Sequence, residues 1–252
     1  MDNLMFIGMV YELIIIVIVT VFLILVLQKY FERRHKLTLY LFIIFLNFTL
    51  AIVFSWLSKV LRLYSGINYL IDPAVPDPLT VESWFLLRIV SFRFTMIFTI
   101  IALLYYYILK LNLFEEESKK LGKVYDYIIY SYAGIAILYM LIVYIKGNYI
   151  LDILTFLIIF GYICLVQIPF MSNCYQSYKA VDDPNYSRGF LSLFLMSLSF
   201  ILVFVCQLID RIIMAMTGTI GYTVFYFLGW GFVILAIFFS YFGYIRPKGH
   251  NE

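Results

Sequence analysis

The sequence predicts an all-α membrane protein, a seven-transmembrane helix bundle with its N-terminus outside and its C-terminus inside. Composition is the first of three observations that predict it. Of 252 residues, 64% are hydrophobic and 13% charged, and the mean hydropathy is +0.97. A soluble domain is about 45–50% apolar and about 25% charged. Such an excess of apolar residues cannot be hidden in one water-soluble core of this size. A soluble enzyme, a nucleic-acid-binding protein and a disordered chain are thereby excluded. The second observation is that the apolar residues form seven runs, each close to or above the roughly 20 residues that cross the hydrocarbon core as a helix. The third is an uneven distribution of Lys and Arg between the connections.

The runs cover about 5–28, 37–62, 84–110, 125–145, 150–175, 190–216 and 222–245, in a single domain spanning 1–252. Span one begins with Asp2, lacks a basic leader and is followed by no small-residue cleavage pattern, so it is expected to be a retained helix rather than a secretory signal. Lys29 to Lys36 separate it from span two. Asp72, Pro73, Pro76 and Pro78 lie in the longest outer connection, which a partial lid would suit. Glu115 to Lys123 follow span three; there Glu115 with Lys119 and Glu116 with Lys120 are spaced i, i+4, which predicts a helical continuation of that span. Lys146-Gly147-Asn148, Asp182 to Asn185 and Gly218 to Gly221 close the remaining boundaries. Continuous apolar runs of this length favour helices over the alternating strands of about 10 residues in a barrel.

Twelve of the 18 basic residues fall on one side: Lys29, Arg33, Arg34, Lys36, Lys110, Lys119, Lys120, Lys123, Lys179, Arg188, Arg246 and Lys248. That side is expected to be cytoplasmic. Many Tyr and Trp, among them Tyr30, Trp84, Tyr125 and Tyr244, sit near span ends as an interfacial belt. Cys164, Cys174 and Cys206 lie in or at the inner ends of spans five and six, where they suit apolar packing.

Charges inside membrane spans cost roughly 2.5–3.5 kcal/mol each on insertion scales, so they face a partner or water. Here they gather in the outer half: Glu12, Lys59, Arg62, Arg88, Arg93, Asp152, Asp210 and Arg211. At 100° per residue, Arg88, Ser91, Thr95 and Thr99 share one face of span three. Ser192, Ser199, Cys206, Gln207 and Asp210 do so on span six, and Asn47, Ser55, Ser58 and Arg62 on span two. Three polar stripes predict a polar bundle interior or an outward-opening cavity. Arg62, Arg88, Gln207 and Asp210 are the candidate ligand-binding residues, with arginines suited to a carboxylate or phosphate. Glu12, Lys59, Arg93, Asp152 and Arg211 are intramembrane charges with structural or functional roles, Arg93 pairing with Glu12 or Asp210.

No catalytic residue or metal site is predicted, and no cofactor. Both histidines, His35 and His250, lie in flanks, which disfavours a zinc hydrolase or bis-His haem. Span seven has no lysine between Tyr222 and Ile245, as a retinal Schiff base there would require. Residues 39–66 match 191–218 without gaps at Leu39, Leu41, Phe42, Leu46, Phe48, Leu50, Val53 and Gly66, and Lys59 meets Arg211. This would suit spans one to three and five to seven as parallel repeats, a 3+1+3 plan.

With seven spans, an outer N-terminus, Trp84-Phe85-Leu86-Leu87-Arg88 in span three and the ending Tyr241-Phe242-Gly243-Tyr244-Ile245-Arg246-Pro247, the chain resembles the seven-helix sensor modules and orphan relatives of prokaryotes, archaea in particular. In the sensor kinases such a module precedes a cytoplasmic domain, which this sequence does not include; the resemblance implies a separate partner or none. If the repeat holds, the layout is also similar to SWEET-type sugar transporters, although their Pro-Gln motif is missing and Gln167-Ile168-Pro169 has the wrong order. The expectation is a non-enzymatic, receptor-like protein of the cell membrane. It binds a small anionic or lipid ligand from outside, meets a cytoplasmic partner at the 111–124 loop and contacts no nucleic acid. A small transporter and a structural membrane protein without ligand are the alternatives.

The orientation is open to direct test. An impermeant maleimide should label an Asn3→Cys variant in intact cells and a His250→Cys variant only after permeabilisation.

Overall fold

The computed structural model describes residues 2–64, 80–143, 149–217 and 222–245. The outer connection with its three prolines, and Lys146, lie outside the described residues. So do the side chains of Asp152 and of residues 115–121. The described residues are almost wholly helical, with none in a strand.

Eight α-helices build the chain: α1 (Asp2–Arg33), α2 (Lys36–Tyr64), α3 (Val81–Val90), α4 (Arg93–Leu113), α5 (Glu115–Ile142), α6 (Tyr149–Ala180), α7 (Pro184–Thr217) and α8 (Val224–Ser240), with a π-helical turn at Tyr241–Ile245. Among the described residues, seven helical segments are long and apolar enough to cross a membrane. We call the end holding the N-terminus of α1 the outer end. Large apolar side chains cover the outside of the bundle, among them Phe6, Ile14 and Val17 on α1 and Ile135 and Leu138 on α5. That is the surface lipid solvates and water does not.

The helices pack in chain order, α1 on α2, α2 on α4, α4 on α5, α5 on α6, α6 on α7 and α7 on α8, and α8 closes the ring on α1. α4 also touches α6. The groups α1–α2–α4 and α6–α7–α8 therefore have matching neighbours, and they meet at two matching seams, α4 with α6 and α8 with α1. This is the packing that a 3+1+3 plan requires.

Two departures from the expected spans have local causes. The run 84–110 is not one helix: α3 ends at Val90, and Phe92 takes the left-handed conformation (φ 62°, ψ 14°) before α4 starts. Left-handed residues commonly end helices, but the usual occupant is Gly, because a side chain there costs roughly 1–2 kcal/mol. The acidic-basic run after span three is helical in backbone but does not continue α4. Phe114 (φ −123°, ψ 56°) ends that helix, and Gly122 (φ 74°, ψ 160°) breaks the next segment before the membrane-crossing part of α5. Only glycine adopts such a conformation readily.

Elsewhere the chain satisfies its own backbone. Asp183, expected in a turn, accepts from the Asn185 amide at 2.8 Å and starts α7 ahead of Pro184. Pro169 lies inside α6 and deprives the Leu165 carbonyl of its donor. The Tyr125 hydroxyl donates to that same carbonyl at 2.5 Å. Close approach explains two glycines. A Cβ at Gly8 would stand 3.0 Å from the Tyr222 ring, and one at Gly229 would stand 3.3 Å from Nε2 of Gln207.

Tyr125 and Pro169 should therefore be coupled. Tyr125→Phe is expected to cost about 1–3 kcal/mol, the penalty of a buried unpaired carbonyl. In a Pro169→Ala background, where the helix supplies its own N–H, thermal unfolding should show a much smaller loss.

Candidate functional site

The helix break places Phe92 where α2, α4, α6 and α7 converge, and three cations gather on its ring. The guanidinium of Arg211 lies 4.8 Å from the ring centroid, the ammonium of Lys59 5.1 Å and the guanidinium of Arg62 5.6 Å. All are within the range of cation–π attraction, about 6 Å. Arg62 also donates from Nη2 to the Val90 carbonyl at 2.8 Å, supplying a partner at the end of α3, where helix carbonyls lose theirs.

Beside this group lies a buried carboxylate. Glu12 of α1 is 0% exposed, and Lys59, 1% exposed, donates to its Oε1 at 2.7 Å. Ser55 and Tyr226 donate to the same oxygen at 2.9 and 2.8 Å. Helices α1, α2 and α8 are thus tied at one atom, while Oε2 of Glu12 has no hydrogen-bond partner. A charge-assisted bond in this low-dielectric setting is stronger than in water, and a lone charge there is correspondingly expensive.

The other expected residues separate into distinct duties. Asp210 of α7 accepts from the Thr223 amide at 3.0 Å and its hydroxyl at 2.7 Å, so a carboxylate sits at the N-terminus of α8. Arg88 does not join the group around Phe92. It donates twice to the Leu141 carbonyl, at 2.9 and 2.6 Å, in the last turn of α5, and stacks on Trp84 at 4.0 Å. A guanidinium at a helix C-terminus meets both free carbonyls and the negative end of the dipole. Arg93 pairs with neither Glu12 nor Asp210. It donates to the Thr155 hydroxyl of α6 and lies 3.6 Å from the Met140 sulfur of α5, while Lys59 and Thr223 bond those acids.

The polar stripes are only partly kept. The break at Phe92 turns Arg88 towards α5 while Thr95 and Thr99 face the bundle centre, so they share no continuous face. On α7, Ser199, Cys206 and Asp210 are buried and Gln207 lines a cavity, whereas Ser192 is only half-buried. On α2, Asn47, Ser55 and Ser58 are buried. Lys110, grouped by sequence with the inner flank, is buried beside the rings of Tyr107 and Tyr125, each 5.8 Å away.

Two neighbouring spaces open here. The larger holds about 730 Å³ of atom-free space, its mouth included, between α2, α4, α6, α7 and α8. Its walls are mostly apolar; Ser55, Thr95, Thr99, Gln207 and Arg211 supply polar groups. The smaller is a narrow cleft, about 240 Å³ with its open mouth included, at Lys59, Arg62, Asp210, Tyr222 and Tyr226; it shares Phe92, Arg211 and Tyr226 with the first. The α2 wall of the larger cavity is Phe48, Ala51, Ile52 and Ser55; the α7 wall includes Phe200, Val203, Phe204 and Gln207. Each stands at the position that the alignment of 39–66 with 191–218 pairs with its counterpart. Phe48 and Phe200, identical in that alignment, stack at 4.9 Å. Lys59 and Arg211, also paired there, share the Phe92 ring.

Sequence reasoning missed Phe92 and Tyr226, since one aromatic among 48 Phe and Tyr carries no mark in the sequence. Arg211 was placed among the intramembrane charges, not the ligand candidates.

No family model, no curated protein and no solved structure matches the chain. The fold alone defines the class. Seven apolar helices around a common interior make a polytopic helical membrane protein.

The Glu12–Lys59 pair yields a prediction. Lys59→Met leaves a buried carboxylate without its cation and should cost about 3–5 kcal/mol. The double variant Glu12→Gln with Lys59→Met should recover much of that loss in thermal unfolding.

Proposed function

We propose that this protein is a receptor- or sensor-like protein of the cell membrane that binds a small or lipid ligand in the outer half of its helical bundle. The observation that carries this is the cavity between α2 and α7, polar and cationic at its outer end and apolar below. Gln207 faces this space directly, and Arg62 and Asp210 line its outer annex. Arg88 acts at a distance, by holding α5.

The layer directly below the cavity supports sensing over an open path, although a second space opens beyond it at the inner end, between Lys29, His35, Leu109 and Tyr244. Ile100, Leu103, Tyr106, Tyr107 and Phe170 are buried there, and Tyr106 meets Phe170 edge-on at 4.8 Å. α4 runs from the cavity, at Thr95 and Thr99, to Leu113, inside the 111–124 segment. A shift of α4 on ligand binding would be felt by a cytoplasmic partner at that segment. No enzymatic step is proposed.

One observation favours the second reading, a 3+1+3 transporter. The cavity walls come from paired positions of the two related helices, and the two three-helix groups meet at matching seams. Rocking of such halves about a central site is how parallel-repeat transporters work.

Thermal-shift screening of the purified protein against metabolites and lipids tests the proposal. A true ligand should raise Tm in the native protein and much less in Gln207→Ala. Arg88→Ala should lower the baseline Tm yet leave the ligand-induced rise intact. Hits indifferent to Gln207 would sink the placement. Accumulation of a hit inside proteoliposomes would favour transport over sensing.

A further inference from the structure

The charges of the outer half are mostly committed within the chain: Lys59 to Glu12, Arg62 to the Val90 carbonyl, Arg88 to the Leu141 carbonyl, Asp210 to Thr223. Arg211 differs. Its guanidinium lies between two rings, Phe92 at 4.8 Å and Phe156 at 5.1 Å. Its Nη1 touches the Met214 sulfur at 3.4 Å, a weak acceptor, and its buried Nε has no hydrogen-bond partner. Among the described residues no carboxylate stands within ion-pairing distance of it. Aromatic faces offset part of the cost of desolvating a guanidinium, but they do not neutralise it.

Arg211 lines both the larger cavity and its annex. One turn below, Gln207 faces the same space, with Thr95 on α4. Further in, the walls are apolar down to the stacked Phe48 and Phe200 apart from Thr99, whose hydroxyl donates to the Thr95 carbonyl. From Arg211 to Phe200 along α7 is about 16 Å at helical rise. The space is therefore graded, from a cation with unused donors at its outer end to a hydrocarbon-like floor.

We propose that the ligand is a single-chain amphipathic anion, a carboxylate or phosphate head on an aliphatic body, with the head on Arg211 and Gln207 and the chain running inward between Phe204, Trp230 and Val203. The inference rests on the cavity being a ligand site and names the class of molecule it takes. A head group bound bidentately would supply the missing counter-charge. The aliphatic body would fill apolar space at about 0.8 kcal/mol per buried methylene.

Trp230 lines the cavity and makes the test specific. In Trp56→Phe/Trp84→Phe protein it is the one tryptophan left of three. In phosphatidylcholine nanodiscs, dodecanoate brominated along its chain should quench Trp230 saturably. Unlabelled dodecanoate or dodecyl phosphate should compete; dodecanol and acetate should compete at least tenfold more weakly. Whichever of the two anions competes better identifies the head. Arg211→Met should weaken the acid at least tenfold and leave the alcohol unchanged, whereas Val203→Phe, which fills the cavity, should weaken both. Should the tryptophan substitutions impair folding, the Tm of native protein with dodecanoate against dodecanol reports the same preference. Non-saturable quenching equal for acid and alcohol would show bilayer partitioning only and overturn the proposal. Indifference to Arg211→Met would overturn it too. Gln207-dependent stabilisation by a small polar metabolite, with none by dodecanoate, would overturn this inference and leave the cavity's role as a ligand site standing.

Discussion

The break between α3 and α4 leaves helix carbonyls without partners in a buried part of the bundle, and a phenylalanine holds the left-handed position where glycine is usual. Both costs are met by one group of residues. Arg62 bonds the Val90 carbonyl, and the Phe92 ring that the break presents is gripped by Arg62, Lys59 and Arg211. In turn Lys59 fixes Glu12, and Glu12 fixes Tyr226 of α8. Helices α1, α2, α4, α7 and α8 are thus positioned through contacts that all lead back to one ring. The governing constraint is that of the membrane interior, where each charge and each backbone group must find its partner inside the protein.

The same constraint explains how the cavity between α2 and α7 stays open while the middle of the bundle below it is filled. Inside, Tyr106, Tyr107 and Phe170 fill the volume with rings, and Tyr106 hydrogen-bonds Ser197. Outside, the cations are drawn to Phe92 and to helix ends, and α2 and α7 face one another across the gap with Ala51, Ser55, Val203 and Gln207, which are shorter than the rings below. Much of the polar inventory serves as caps: Arg88 for α5, Asp210 for α8, Tyr125 for the carbonyl freed by Pro169. What remains on the cavity wall is a short polar set with Arg211 at its head.

The relation between α2 and α7 gives the cavity its regularity. Leu41 and Leu193, Phe48 and Phe200, Ala51 and Val203 are buried at paired positions. The pairing that residue identities propose is therefore also the pairing of the buried faces. At one such pair, Phe48 and Phe200, the two helices meet ring on ring.

The sequence by itself determined the class, the number of spans and their approximate limits, because hydropathy sums over neighbours in the chain and a helix must cover a fixed thickness. It also located the outer half as the place where charge concentrates and pointed to Gln207. Partner choice was beyond it. That Glu12 meets Lys59 and not Arg93, that Arg88 holds the end of α5, and that span three breaks at Phe92 depend on helix rotations and neighbours far apart in sequence. A polar stripe drawn at 100° per residue presumes an unbroken helix, and Phe92 removed that premise for Arg88 and Thr95. Only the tertiary structure decided which charges neutralise one another, and that Arg211 faces open space with no carboxylate among the described residues beside it.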